Sequence, residues 1–175
     1  YGWYGGLTEL DPTQMYKLQM TAEADLVITG IPVDVASTPI SLISGWNWIG
    51  YLPQNAGEVT TALASVGELA TFISSQSAGT AQNYGDYGWY GALTELDPTQ
   101  MYKLQMTAAA DLVITGFPVD VTSTPISLIA GWNWIGYLPQ NAGSLGEALV
   151  SVDDDATFIS SQSSGTAQNY GENGW

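Results

Sequence analysis

The chain has 175 residues, with 17 acidic side chains, two lysines, neither histidine nor cysteine, and a formal charge of −15. Two cations cannot neutralise a row of phosphates, which excludes nucleic-acid binding. Without His or Cys there is no Ser-His-Asp triad, no thiol nucleophile, no ordinary zinc site and no disulfide. In chain order, the first signal is the turn at Asp11-Pro12. Met15 to Met20 then alternates, with Tyr16, Leu18 and Met20 on one face and Lys17 and Gln19 on the other, as a strand does. Leu26-Val27-Ile28, ended by Gly30, reads as a short buried strand, and Ile31 to Pro39 as an extended connector. Ile40 to Tyr51 is apolar on both faces and predicts a central strand. Pro53 to Gly57 is turn material, and about 57–66 predicts an amphipathic helix. Ala70-Thr71-Phe72-Ile73 begins a further strand, and Tyr84 to Tyr90 reads as a Gly-rich aromatic edge or hairpin arm.

All of this then recurs. A shift of 86 positions superposes the sequence on itself with 15 differences, so 1–86 and 87–172 are two repeat copies. Asn173-Gly174-Trp175 begins a third pass, which points to a longer array. Eight differences fall between Glu58 and Leu69, yet Ala62, Leu63 and Val66 persist as Ala148, Leu149 and Val152. An apolar i, i+3, i+4, i+7 set kept beneath a drifting surface describes a helix with one buried face. Leu63 and Leu149 are therefore expected in the core. The second copy adds Ser144 and Glu147 with capping-box spacing. The fold class expected is mainly β, as β-sandwich or barrel-like modules with one short helix each.

The run Ile40-Ser41-Leu42-Ile43-Ser44-Gly45-Trp46-Asn47-Trp48-Ile49 resembles the I-x-L-x-x-G-W-N-x-I strand that opens a repeat module of secreted, multidomain bacterial and algal proteins. Ser75-Gln76, Tyr84, Trp89 to Pro98 and the strand from Met101 continue the resemblance across nearly the whole copy. It implies a tandem surface module with no catalytic residues to transfer. It also implies a different phase: a complete module at about 40–116, with 1–30 and 126–175 as complementary halves of another.

Two readings of the aromatic residues stay open. Trp46 and Trp48 share a strand face with Ile40 and Leu42, company that points to core rather than to a sugar-stacking platform. The better platform set is Trp3, Tyr4, Tyr84, Tyr87, Trp89, Tyr90 and Tyr170, set among Gly, Asn and Gln without aliphatic partners. The same residues also suit packing against a neighbouring module. Glu9 with Asp11, and Glu95 with Asp97, are the sole carboxylate pairs with a hint of glycosidase arrangement. Asp before Pro in a turn more commonly caps its own backbone, so no catalysis is expected. The run Asp153-Asp154-Asp155 lacks the alternating spacing of a calcium loop, Asp34 and Asp120 each offer one carboxylate locally in the connectors, and no cofactor or metal is expected. The function expected is structural or adhesive, in a secreted or cell-surface protein, through packing on neighbouring copies or other chains. The alternative is a carbohydrate-binding module, and a glycoside-active enzyme fragment is a remote third. Neither nucleic acid nor membrane insertion is expected.

Overall fold

The computed structural model describes residues 2–171, so the third-pass residues Asn173 to Trp175 lie outside it. The first strands are β1 (Trp3–Gly5), β2 (Glu9–Leu10), β3 (Met15–Met20) and β4 (Ala24–Leu26). Next come β5 (Ile40–Leu42), β6 (Gly45–Gly50), β7 (Gly57–Glu58), the helical turn α1 (Val59–Ala62), β8 (Ala70–Ser74) and β9 (Thr80–Asn83). The second copy's front half gives β10 (Trp89–Gly91), β11 (Glu95–Leu96), β12 (Met101–Met106) and β13 (Ala110–Leu112). Its back half gives β14 (Ile126–Leu128), β15 (Gly131–Gly136), β16 (Gly143–Ser144), α2 (Leu145–Ala148), β17 (Ala156–Ser161) and β18 (Thr166–Asn169). The protein is mainly β. Two five-stranded sheets dominate, ordered β10-β9-β8-β12-β6 and β1-β18-β17-β3-β15, with small two-stranded sheets beside them. No sheet among the described residues closes on itself, so the barrel-like alternative is not the form adopted.

Each large sheet backs one core. The first lobe gathers Val33 and Val35 from a connector, then Ile40 through Ile114. The second gathers Leu7 through Ile28 with Val119 through Ala167. Its sheet is therefore stitched from both ends of the chain: β3 pairs β15 and β17, and β1 pairs β18. In the first lobe β12 plays the same part between β6 and β8, but from an adjacent stretch of chain.

Two local expectations are corrected. The stretch 40–51 is not one central strand, because the chain turns after Leu42 and Gly45 sits at φ +94°, a conformation that favours glycine. Asn47 fills that turn: its Oδ1 accepts from the Ile43 N–H (2.9 Å), and its Nδ2 donates to the Ile43 carbonyl (2.8 Å). The turn shifts the inward parity by one residue. Ile40 and Leu42 face the core, and so do Asn47 and Ile49, which sends Trp46 and Trp48 to the opposite face. Trp46 is 45% exposed, so neither tryptophan is the core residue its neighbours implied. β6 also lies at the sheet's edge, not its centre.

The helices expected at about 57–66 and 143–152 are single α turns, Val59–Ala62 and Leu145–Ala148. A 3-10 turn follows each, at Gly67–Leu69 in one copy and Val150–Val152 in the other. Successive turns still bring the apolar set inward, and Leu63 and Leu149 are buried as expected. The Ser144 Oγ accepts from the Glu147 N–H (3.4 Å) and donates to that residue's carboxylate (2.9 Å), closing the cap.

Tyr16 and Tyr102 are the largest fully buried side chains, and each phenol oxygen accepts a backbone N–H, from Asp11 and Asp97 respectively, at 2.6 Å. Burial pushes both phenols up to about 12; the N–H bond from Asp11 or Asp97 opposes this rise, and the charge of the same aspartate adds a smaller upward push. A phenol raised above its unfolded value near 10 holds its proton longer in the folded state, so stability is intact below about pH 10 and falls as pH climbs toward 12. The loss expected is on the order of 2 kcal/mol per tyrosine. Urea melts between pH 8 and 12 check this, and a flat profile would contradict it.

Candidate functional site

Strand register carries the exposed aromatics into a line. In the first lobe Trp46 pairs with Gln105, Gln105 with Phe72, Phe72 with Gln82, and Gln82 with Tyr90. One side chain from each of five strands thus stands on one face, in the order Trp, Gln, Phe, Gln, Tyr. The second lobe repeats it as Trp132, Gln19, Phe158, Gln168 and Tyr4. Strands about 4.8 Å apart make each row about 19 Å long, with an aromatic on every second strand. The face is open: Tyr90 is 60% exposed and Tyr4 56%.

The rings are braced edge to face rather than laid flat. Trp46 and Phe72 have centroids 6.0 Å apart at 85°, and Trp132 and Phe158 5.9 Å apart at 81°. At the outer end Tyr84 meets Tyr90 at 5.9 Å, and Tyr170 meets Tyr4 at the same distance. Tyr84 also donates to the Gln82 side-chain oxygen (3.4 Å), as Tyr170 does to Gln168 (3.3 Å). Glycine makes the outer strand possible. A Cβ on Gly91 would lie 2.0 Å from the Thr80 carbonyl oxygen, so only a bare α-carbon lets β10 lie against β9 and bring Tyr90 into line.

The structure divides the aromatic set expected from sequence. Tyr4, Tyr84, Tyr90 and Tyr170 stand at the outer ends of the rows. Tyr87 is 80% exposed in the turn Gly85–Tyr87, outside the row's register. Trp3 and Trp89 alternate to the other side of their strands, where they pack half-buried against the two cores. Local pattern missed Trp46, Phe72, Trp132, Phe158 and the four glutamines, because their alignment exists only once the strands are paired in register, and for Trp46, Gln105, Trp132 and Gln19 those strands are distant in sequence.

The inner edges of the two sheets meet at a seam. Gln162 donates its amide to the Trp46 carbonyl (2.5 Å) and accepts from the Trp48 N–H (2.5 Å), so a side chain from the second lobe satisfies the open edge of β6. Gln76 does the same for Trp132 (2.5 Å) and Trp134 (2.6 Å) on β15. An edge covered in this way is closed to further pairing. The two lysines gather here: Lys17 Nζ lies 4.6 Å from the Trp48 ring and 5.2 Å from Trp134, and Lys103 Nζ 4.6 Å from Trp134. Burial lowers the pKa of Lys17, and the neighbouring Lys103 charge lowers it further. Both cations are thus engaged with tryptophan at the seam, in the register next to the rows, two residues along the strands from Gln19 and Gln105.

The carboxylates are placed in turns. The Asp11 side chain accepts from the Thr13 N–H (2.7 Å) and from the Thr13 hydroxyl, and Asp97 accepts from the Thr99 N–H (2.8 Å). Their partners Glu9 and Glu95 sit exposed on β2 and β11. Asp120 accepts from the Thr122 hydroxyl (2.8 Å), and hydrogen bonds from Ser123 and Thr122 hold its pKa below the usual value. Asp153 accepts from the Asn169 amide (3.0 Å), and Asp155 from the Thr21 hydroxyl (2.9 Å). No group of three or more His, Cys, Asp or Glu side chains among the described residues is arranged to hold a metal ion. Calcium at low millimolar is expected to leave the melting temperature where matched sodium chloride leaves it, which differential scanning calorimetry checks. Among the described residues no helix is long and apolar enough to cross a membrane. Comparison with protein-family models, with curated proteins and with solved structures finds no match to this chain.

Proposed function

We propose that this chain is a non-catalytic, carbohydrate-binding module of a secreted or cell-surface repeat protein, and that its two aromatic–amide rows hold extended glycan chains. The observation that carries this reading is the row itself: three aromatic side chains and two glutamines in strict alternation across an exposed sheet face, made twice. Ring surfaces take the C–H faces of pyranoses, and amides take the hydroxyls between them. A row about 19 Å long matches about four linked pyranose rings. The rows contain no charged residue, and the chain as a whole is strongly acidic. Neutral polysaccharides fit this surface, and uronate or sulfated ones are repelled.

A second reading, structural and adhesive, is favoured by the seam. Reciprocal glutamine clamps and the Lys–Trp cluster join the lobes through equivalent residues of both copies, the kind of contact that packs one repeat on the next. The two readings are compatible, since the rows use the rings of Trp46 and Trp132 while the seam takes only the carbonyls of those residues. A glycan array, followed by tryptophan fluorescence titration of each hit, tests the first. Retention of neutral β-linked glycans with a change in emission supports it. An array blank for every neutral glycan leaves the structural role alone.

A further inference from the structure

The second lobe is completed by a segment that is chemically interchangeable. Residues 1–30 and 87–116 differ only at Gly6/Ala92 and Glu23/Ala109, positions that are exposed in both places. Each segment supplies the same pairings to its lobe. Residues 87–116 follow directly on the strands they complete. Residues 1–30 reach theirs only by way of the whole first lobe, through the connectors at 31–39 and 117–125. The contacts are extensive: β1, β2, β3 and β4 pair with β18, β16, β15 and β14, and β3 pairs also with β17. Leu7, Leu10, Tyr16, Leu18 and Leu26 are buried in the core so formed. Without them the acceptor exposes apolar surface and open strand edges, which demand a substitute.

We propose that residues 1–30 are an exchangeable strand donor, and that the acceptor surface of residues 126–171 takes this segment from a second copy of the chain as well as from its own. Closure within one chain wins in dilute solution because the tethered donor is always near. Exchange between chains wins when the chain concentration at refolding reaches the effective concentration of the tether, about 1 mM. Each exchange leaves a free donor at one end and an open acceptor at the other, so the association is head to tail.

The natural chain has no cysteine, so crosslinks report pairing cleanly. Asp25 lies opposite Ser127, both exposed, with the serine hydroxyl donating to the aspartate (2.8 Å). Chains carrying D25C and chains carrying S127C are mixed, unfolded in urea, refolded together at about 10 µM or about 1 mM, and oxidised. The result expected is a covalent dimer linked 25–127, rising at least tenfold between the two concentrations. A parallel mixture of D25C with S41C supplies the control, because the place opposite Ser41 is held by Asp111 from the contiguous segment. That mixture should give about a tenth as much dimer. Absence of the 25–127 dimer at both concentrations, or equal dimer in the two mixtures, overturns the proposal. The D25C/S127C double variant, expected to close as a crosslinked monomer, verifies that the substitutions permit folding.

Discussion

Leu63→Ala is expected to destabilise the first lobe by about 2–5 kcal/mol, the range for a buried leucine whose cavity does not collapse. Leu63 is 1% exposed and packs in the cluster that includes Val59, Ala62, Val66 and Ile73. The helix around it is a single turn, far too short to hold itself together by propensity. Its position depends on the side chains it buries, and Leu63 stands where α1 gives way to the next turn. Leu149→Ala should act equally on the second lobe. Each lobe has its own core, so a single substitution should split the urea transition in two, with the untouched lobe melting later. A loss below about half a kilocalorie would remove Leu63 from the core.

Trp46→Ala combined with Trp132→Ala is expected to weaken glycan binding by about 10- to 100-fold. A stacked indole withdraws on the order of 100 Å² of apolar surface from water, worth about 2 kcal/mol, and each 1.4 kcal/mol is a factor of ten. The loss extends beyond the tryptophan itself, because Phe72 and Phe158 lose the edge-to-face partners that brace them. Both tryptophans are exposed, so folding should be little affected, and unchanged urea melts would show that binding alone was lost. Trp3→Ala is the informative contrast. That ring packs against the core, so its removal should lower stability and spare affinity.

Where period and composition act locally, the sequence was legible. Met15 to Met20 buries Tyr16, Leu18 and Met20 because alternation puts them on one face, and Leu63 is inside because an apolar spacing survived around it. Asp11 was legible too: before proline in a turn, its carboxylate caps a nearby N–H. The direction of Trp46 was not legible. Extending the parity of Ile40 and Leu42 through Gly45 assumes an unbroken strand, and Asn47 instead stabilises a turn that reverses the assignment. The rows were only half legible. Tyr4, Tyr84, Tyr90 and Tyr170 stand out by composition, whereas Trp46 is brought into line only through Gln105, which pairs with Phe72 at a separation of 33 residues. Repetition itself hides the rest. Gly45 to Gly50 and Gly131 to Gly136 are identical in sequence, so nothing local says which one Met15 to Met20 will join.

The most direct test of the account is calorimetric titration of the wild-type chain with a series of neutral β-linked oligosaccharides of increasing length. Two equivalent sites per chain are predicted, one for each row. Affinity should rise with chain length to about four rings, where a row of five strands is filled, and then level off. The single variant Trp46→Ala should leave one of the two sites. A single site per chain, or binding unchanged by loss of both Trp46 and Trp132, would contradict the assignment of function to the rows.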